Sequence, residues 1–320
     1  MATATSPPNP ALKPVPITSA QPGGGTCMAI ELAWGRVRRA VLRTVRPGYV
    51  RRMAALRQGD CPNCPHEVID SRDLKFYRNV CGYWFKPEDD AFRSREQLGL
   101  ARMGLAEVIC FSFLLAVPSA LLGFLAFAVS WWFALPLGAV LILWAQIISF
   151  FRDPERVPPA DPLALVSPAD GHVTHIDEVA DPDFPGGRAW RISIFLSVFD
   201  VHVNRLPRTG KVTALQYFPG DFLDARHPQC GVANEQLWLD LEDGETKCRL
   251  RVKQISGKIA RRIVCWLKPG QEVKVGDRYG MIKFGSRTEV YLPADTPLDV
   301  QVKIGDPVFG GSTILARFNP

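Results

Sequence analysis

A chain of 320 residues, 47% hydrophobic with a net charge of +6, has room for about two domains and gives no strong electrostatic footprint for nucleic acid. Its eight cysteines follow no secreted disulfide framework, and no signal peptide opens the sequence. The soluble part is therefore expected in a reducing, cytoplasmic setting.

Residues 1–27 are rich in Pro, Ala, Ser, Thr and Gly, have no apolar period, and are expected to be disordered. Residues 28–104 form a basic helical segment followed by a cysteine-bearing stretch. Leu32, Val37, Val41, Leu42 and Val45 can share one helical side among many arginines, and Pro47-Gly48 divides the pattern into two short helices. Such a segment suits either anionic headgroups or plain solvent. Cys61-Pro62-Asn63-Cys64-Pro65-His66 and Cys81-Gly82-Tyr83-Trp84 then resemble a zinc ribbon with an incomplete second knuckle, Trp84 standing where a fourth cysteine belongs. Cys61, Cys64 and Cys81 are candidate zinc ligands, with His66 an awkward fourth. A decayed ribbon and a redox-active pair are the alternatives.

From Val108 to Phe151 there is no Asp, Glu, Lys or Arg. One helix from 107 to 151 would be about 66 Å long, twice a hydrocarbon core of about 30 Å. Two helices near 107–128 and 131–150, turning around Ser130-Trp131-Trp132, fit a transmembrane hairpin spanning 105–151. Arginines before and after it put both ends in the cytoplasm by the positive-inside rule. The alternative, a buried soluble hairpin, would be unusually apolar all round.

Beyond the stiff exit Arg152-Asp153-Pro154, residues 152–320 read as short β-branched and aromatic runs between Gly, Pro and Asp turns. They predict one mainly β domain of antiparallel sheets, with Ile259–Trp266 ambiguous between helix and strand. Lys274-Val275-Gly276-Asp277 recurs as Lys303-Ile304-Gly305-Asp306, a turn pattern of interlocked barrel-sandwich hybrids. No modification lysine of a carrier domain accompanies it.

Three polar stretches stand out in this domain: Ser167-Pro168-Ala169-Asp170-Gly171, Phe199-Asp200-Val201-His202-Val203-Asn204, and Lys283-Phe284-Gly285-Ser286-Arg287. They offer a carboxylate, an imidazole and a hydroxyl, the set that activates a serine. Each also has a plain reading: Asp170-Gly171 as a turn, His202 as a core histidine, Gly285-Ser286 as a bulge. No Gly-x-Ser-x-Gly elbow supports an ordinary serine hydrolase.

These stretches, with Phe151-Arg152-Asp153-Pro154, Asn234-Glu235, Gly257-Lys258-Ile259-Ala260-Arg261-Arg262 and Gly276–Phe284, resemble the short, membrane-anchored, pyruvoyl-dependent phosphatidylserine decarboxylases over about residues 145–318. The resemblance implies self-cleavage between Gly285 and Ser286, with His202 as base and Asp170 orienting it. It implies that Ser286 becomes a pyruvoyl cofactor, which forms a Schiff base with the amine of phosphatidylserine and promotes its decarboxylation to phosphatidylethanolamine. Asn234 and Glu235 would contact substrate, although Glu235 could equally be a surface charge. The processed large and small chains would stay together, at the cytoplasmic face of the cell membrane. Phe284-Gly285-Ser286-Arg287 replaces the Leu-Gly-Ser-Thr of the longer bacterial forms, and Phe199 stands where they carry another histidine. A non-catalytic, membrane-anchored β-sandwich adaptor is the competing reading; it leaves Asp170, His202 and Ser286 coincidental.

Overall fold

The computed structural model describes residues 12–258, 262–283 and 285–319. The expectations for residues 1–11, for the 259–261 part of the ambiguous segment and for Phe284 lie outside the described residues.

Residues 12–25 differ from the expected disorder. They form an extended strap whose backbone groups pair with neighbouring elements: Val15 N–H donates to Tyr217 O (2.9 Å), Ala20 N–H to Phe76 O (2.6 Å), and Ala20 O accepts from Cys265 N–H (2.9 Å). Composition describes the missing apolar period, whereas order here comes from long-range backbone pairing. Helices α1 (Thr26–Val45) and α2 (Pro47–Leu56) follow, divided at Pro47, which has no N–H to continue α1. Arg38 and Arg39 on α1 pair with Asp70 and Asp73 at 2.5–2.9 Å. Part of the basic face therefore meets acidic protein rather than solvent.

After the short α3 (Arg93–Glu96), α4 (Leu105–Ala128) and α5 (Ala134–Phe150) make the apolar hairpin around a 3-10 turn at Trp131–Phe133. Trp144 Nε1–H donates to Ser112 Oγ across it (2.9 Å). The outer surface is bare hydrocarbon, with Phe127 94% and Phe113 74% exposed. Its two feet are tied together, Ala101 N–H donating to Phe151 O (2.7 Å) and Asp153 N–H to Gly99 O (2.8 Å). Both chain ends therefore leave the hairpin on one side.

The rest is β structure apart from short helical turns such as α6 (Cys230–Ala233). The strands are β1 (Ala164–Val166), β2 (Gly171–Ala180), β3 (Arg188–Leu196), β4 (Val203–Arg205), β5 (Gly210–Phe218), β6 (Gln236–Asp243) and β7 (Arg249–Ser256), then β8 (Arg262–Cys265), β9 (Glu272–Val273), β10 (Arg278–Lys283), β11 (Ser286–Pro293), β12 (Leu298–Val300), β13 (Pro307–Val308) and β14 (Ile314–Phe318). The 262–265 part of the ambiguous segment is thus strand.

An eight-stranded antiparallel sheet runs β13-β2-β3-β11-β7-β6-β5-β9, and two three-stranded sheets, β4-β10-β8 and β1-β14-β12, close against it. The result has barrel-sandwich character. Inward residues such as Ile194, Leu239, Val252, Ile282, Val290 and Leu315 form one continuous core. The chain changes sheet from β3 to β4, from β7 to β8 and from β10 to β11, and His202, Gly257 and Gly285, which follow β3, β7 and β10, meet at one corner.

A second cluster joins hairpin to domain, with Phe150 and Phe151 packed on Val201, Val203, Val264 and Met281. Beside it, Lys283 of β10 forms a buried ion pair with Glu107 in the first turn of α4. Removing one partner of a buried pair leaves an uncompensated charge, at a cost of about 3–5 kcal/mol. Glu107→Ala and Glu107→Gln, which both leave Lys283 without its counter-charge, are therefore each expected to lower the unfolding temperature of the detergent-solubilised protein, measured by intrinsic fluorescence. Negligible shifts would show that the pair does not hold the hairpin to the domain.

Candidate active site

The corner where chains change sheet is built by register. β11 lies between β3 and β7, with Ser286 opposite Leu196 on one side and Ser256 on the other. β10 pairs with β4 in the smaller sheet, Met281 opposite Val203, and Ile282 N–H donates to His202 O (3.3 Å). His202 and Gly285 are consequently brought side by side. Residues 83 positions apart in sequence meet there, with Gly285 N–H donating to His202 Nε2 (3.2 Å). Gly285 makes the turn with φ +65°, a left-handed backbone that glycine adopts at little cost.

His202 is fully buried. Its Nδ1 lies 2.9 Å from Asp200 O, and since a carbonyl only accepts, Nδ1 carries the proton and Nε2 the lone pair. Phe150 of α5 covers the ring, centroids 4.2 Å apart. Burial pushes the imidazole pKa down to about 4, despite the opposing pull of the Asp200 carbonyl and carboxylate. The ring is thus a neutral base at physiological pH, held in one tautomer.

Ser286 is fully buried, and its Oγ has no hydrogen-bond partner among the described residues. Ser256 Oγ, on the residue opposite, is equally unpartnered. Orphaned buried hydroxyls are uncommon and call for a chemical explanation. The carbonyl of Gly285 presses on Gly257, where a Cβ would stand 2.5 Å from its oxygen. Only glycine at 257 leaves that carbonyl its present position.

The other sequence-derived candidates sit further out. Asp170 does not hydrogen-bond His202. Its Oδ1 accepts from Gly310 N–H (2.7 Å) and its Oδ2 from Arg156 (2.8 Å), so the carboxylate fastens the 309–311 turn. Burial raises its pKa, against the stabilising Gly310 N–H and Arg156. The groups in contact with the His202 ring are the Asp200 carbonyl and the Phe150 ring. Asp200 is itself fixed by Ser197, whose N–H and Oγ–H both donate to Oδ2 at 2.7 Å.

Asn234 has its amide fully occupied: Oδ1 accepts from Leu223 N–H, and Nδ2 donates to Leu223 O and Ser256 O. It clamps the 221–225 loop to the strand end opposite Ser286. Glu235 is buried rather than a surface charge. Its Oε1 accepts from Tyr217 OH (2.7 Å), and burial raises its pKa. Cys61, Cys64 and Cys81 do gather, their sulfurs all within 4.8 Å, but in the N-terminal segment rather than at this corner.

The opposite face of β11 carries a buried charged array. Glu289 accepts from Ser193 Oγ–H (3.0 Å) and Tyr291 OH (2.7 Å). Burial opposes its ionisation, but Arg287, Arg191 and Lys253 outweigh that and hold its pKa down. A cleft of about 830 Å³ opens between the cysteine segment and β4–β10, lined by Tyr83, Trp84, Arg205 and Met281 but by neither Ser286 nor His202. The corner is therefore distinguished by its unpartnered hydroxyl, not by the size of a cavity.

Comparison with known proteins identifies relatives of this chain. A family model described as phosphatidylserine decarboxylase matches residues 144–316. A phosphatidylserine decarboxylase proenzyme of Rhodopirellula baltica is 41% identical over 247 residues, covering 77% of this chain and 99% of the relative. Proenzymes of the same name from Desulfotalea psychrophila and Symbiobacterium thermophilum are each 48% identical, over 55% and 61% of this chain and 81% and 88% of theirs. The chain belongs to the phosphatidylserine decarboxylase family. A 247-residue match is longer than segment 152–320, so likeness extends upstream of the catalytic domain, further than the motifs alone suggest.

A pyruvoyl group made from residue 286 fits this site, because the hydroxyl it would consume is buried and unpartnered on a central strand. Sequence motifs contained Asp200 and Gly257 without marking their roles, which are a backbone carbonyl and a missing Cβ. Glu107 was visible as an acid at the edge of an apolar run, but its partner was not.

Two outcomes are expected. Gly257→Ala should slow appearance of the small chain at least tenfold, followed by gel electrophoresis after synthesis, because its methyl group displaces the Gly285 carbonyl; normal processing would remove that contact from the mechanism. The unfolded chain protonates His202 near pH 6.5, while the folded chain resists until about 4. Stability from this group is therefore complete above 6.5 and lost as pH falls toward 4. Processing should correspondingly show no inflection at 6.5, where an exposed imidazole would titrate.

Proposed function

We propose that this chain is a membrane-anchored proenzyme that cleaves itself between Gly285 and Ser286 and then decarboxylates phosphatidylserine to phosphatidylethanolamine. The observation that carries the reading is the unpartnered Ser286 hydroxyl beside a left-handed Gly285 whose N–H is bonded to neutral His202. Family membership supplies the reaction class.

In maturation, Ser286 Oγ attacks the Gly285 carbonyl carbon. His202 Nε2 gives up its bond from Gly285 N–H, takes the hydroxyl proton and returns it to the departing nitrogen of residue 286. The amide thereby becomes an ester. Loss of the Cα proton of residue 286 expels the Gly285 carboxylate and leaves dehydroalanine. Water replaces the nitrogen, which departs as ammonia, leaving a ketone at the new N-terminus. Asp170 contributes at one remove, by holding the 309–311 turn and Arg156.

The resulting pyruvoyl group supplies an electron sink for the pair left behind when a substrate carboxylate departs. His202 is the titratable side chain in hydrogen-bond contact with this junction and the proposed carrier of the proton that replaces carbon dioxide. The two chains remain associated because β11 of the small chain lies between β3 and β7 of the large one, while β13 and β14 pair with β2 and β1.

The hairpin brings the lipid. Its helices are long and apolar enough to cross a membrane, and α5 ends on the site, with Phe150 on His202 and Gln146 donating to Val198 O (3.0 Å). Flanking arginines orient both feet to the cytoplasm, so the domain works on the inner leaflet. Asn234 shapes the site through Ser256, and Glu235 borders it as a buried acid.

Intact mass measurement is expected to give a large chain ending at Gly285 and a small one of roughly 35 residues beginning with a ketone at position 286. Ser286→Ala should remain one inert chain, and cleaved Ser286→Ala protein would overturn the mechanism. In sealed cells, impermeant thiol reagents should reach neither Cys61 nor Cys248. Labelling of both from outside would reverse the topology.

A further inference from the structure

The cysteine segment takes no part in this reaction, yet its construction is specific. Gln58 and Trp84 exchange both backbone hydrogen bonds at 3.0 Å, pinning two turns side by side. The turns approach more closely than side chains permit. A Cβ on Gly82 would lie 1.9 Å from Asp60 O, and one on Gly59, which has φ +81°, 2.2 Å from Gly82 O. Cys61 and Cys81 immediately follow these contact points on their turns or lie beside them. Cys64 closes the first turn, its N–H donating to Cys61 O (3.3 Å).

The outcome is three sulfurs within 4.8 Å of one another, with Cys64 and Cys81 2.7 Å apart. Zinc–sulfur bonds of about 2.3 Å in a tetrahedron place sulfurs about 3.8 Å apart. All three pairs lie within 4.8 Å, and a movement of about 1 Å widens the Cys64–Cys81 pair to that spacing.

The segment also needs a cross-link. Its own buried apolar cluster comprises Val68, Leu74 and Cys81, with Tyr77, Tyr83 and Phe85 only partly covered. Between Gln58 and Phe85 the regular structure is one 3-10 turn, Ser71–Leu74. Ordering a residue costs about 1–2 kcal/mol of backbone entropy, which so small a core does not offset. Metal or disulfide staples are the usual remedies for small folds, and only a metal uses all three thiols.

We propose that Cys61, Cys64 and Cys81 bind one zinc ion as thiolates, with water in the fourth position, and that this ion is the structural staple of residues 58–85. His66 is not the fourth ligand, because its Nε2 is 2.7 Å from Asp73 O and its ring packs edge-on against Tyr77. Trp84 occupies the place where a second knuckle would supply another thiol. Arg57 ties the first turn to the rest of the segment, its guanidinium lying over Tyr83 at 4.2 Å and donating to Val68 O. The staple secures the surface on which Phe76 O holds Ala20 of the strap.

The test is elemental analysis of the full chain purified in detergent without chelators. Roughly one zinc per chain is expected, equally in wild type and uncleaved Ser286→Ala, so the result is independent of the proposed reaction. Cys61→Ser, Cys64→Ser and Cys81→Ser should each lose the ion, while Cys248→Ser keeps it. A mercurial thiol reagent should release wild-type zinc in step with three of the eight thiols, a measurement that needs no variant to fold. Cobalt substitution should give thiolate charge-transfer and intense tetrahedral ligand-field bands. Absence of zinc even after reconstitution, iron or copper in its place, a Cys64–Cys81 disulfide in protein alkylated at lysis, or zinc retained by the triple serine variant would each overturn the proposal.

Discussion

The structure depends on one backbone constraint: β10 and β11 are consecutive in the chain but belong to different sheets, with Gly285 at the change. Antiparallel pairing fixes what lies beside such a corner. Because β3 and β4 make the neighbouring change, His202 is delivered to Gly285 by hydrogen-bond register rather than by a flexible loop. Because β7 ends opposite Ser286, Gly257 is delivered to the Gly285 carbonyl in the same way. A peptide bond at such a corner is held in place on both sides, which is the positional order an intramolecular attack requires.

Burial decides the electrostatics. His202 loses its charge because the tilted ring of Phe150 and the surrounding core offer no solvation for an imidazolium. Glu289 keeps its charge at comparable depth because three cations and two hydroxyl or phenol donors surround it. The contrast across one strand follows from partners, not depth: two hydrogen bonds satisfy a neutral imidazole, whereas a buried carboxylate requires compensating charge. The neutral base and the ionised array are thereby separated onto the two faces of β11.

The N-terminal half is attached at points that bear on this corner. Glu107 of α4 meets Lys283, two residues before Gly285, and Phe150 of α5 covers His202. The strap reaches Cys265 of β8 and Tyr217 of β5. The apolar hairpin therefore packs on His202 and Lys283 as well as being suited to a bilayer.

Much of this was legible in residue patterns. Absence of charge from 108 to 151 determined the hairpin, alternation determined the strands, and ordered short motifs identified the family and its Gly285-Ser286 junction. These are local or periodic properties, carried by residue types. The partner of His202 was not legible, because a carbonyl belongs to every residue and only register selects that of Asp200. Nor was the displacement of Asp170 to the 309–311 turn, since a carboxylate at hydrogen-bond range of an imidazole and one bound to Gly310 N–H have the same sequence. The Glu107–Lys283 pair spans 176 residues, and the strap's pairings with Tyr217 and Cys265 span more than that. Contacts of that kind arise from how sheets close on one another, so tertiary structure alone decided them.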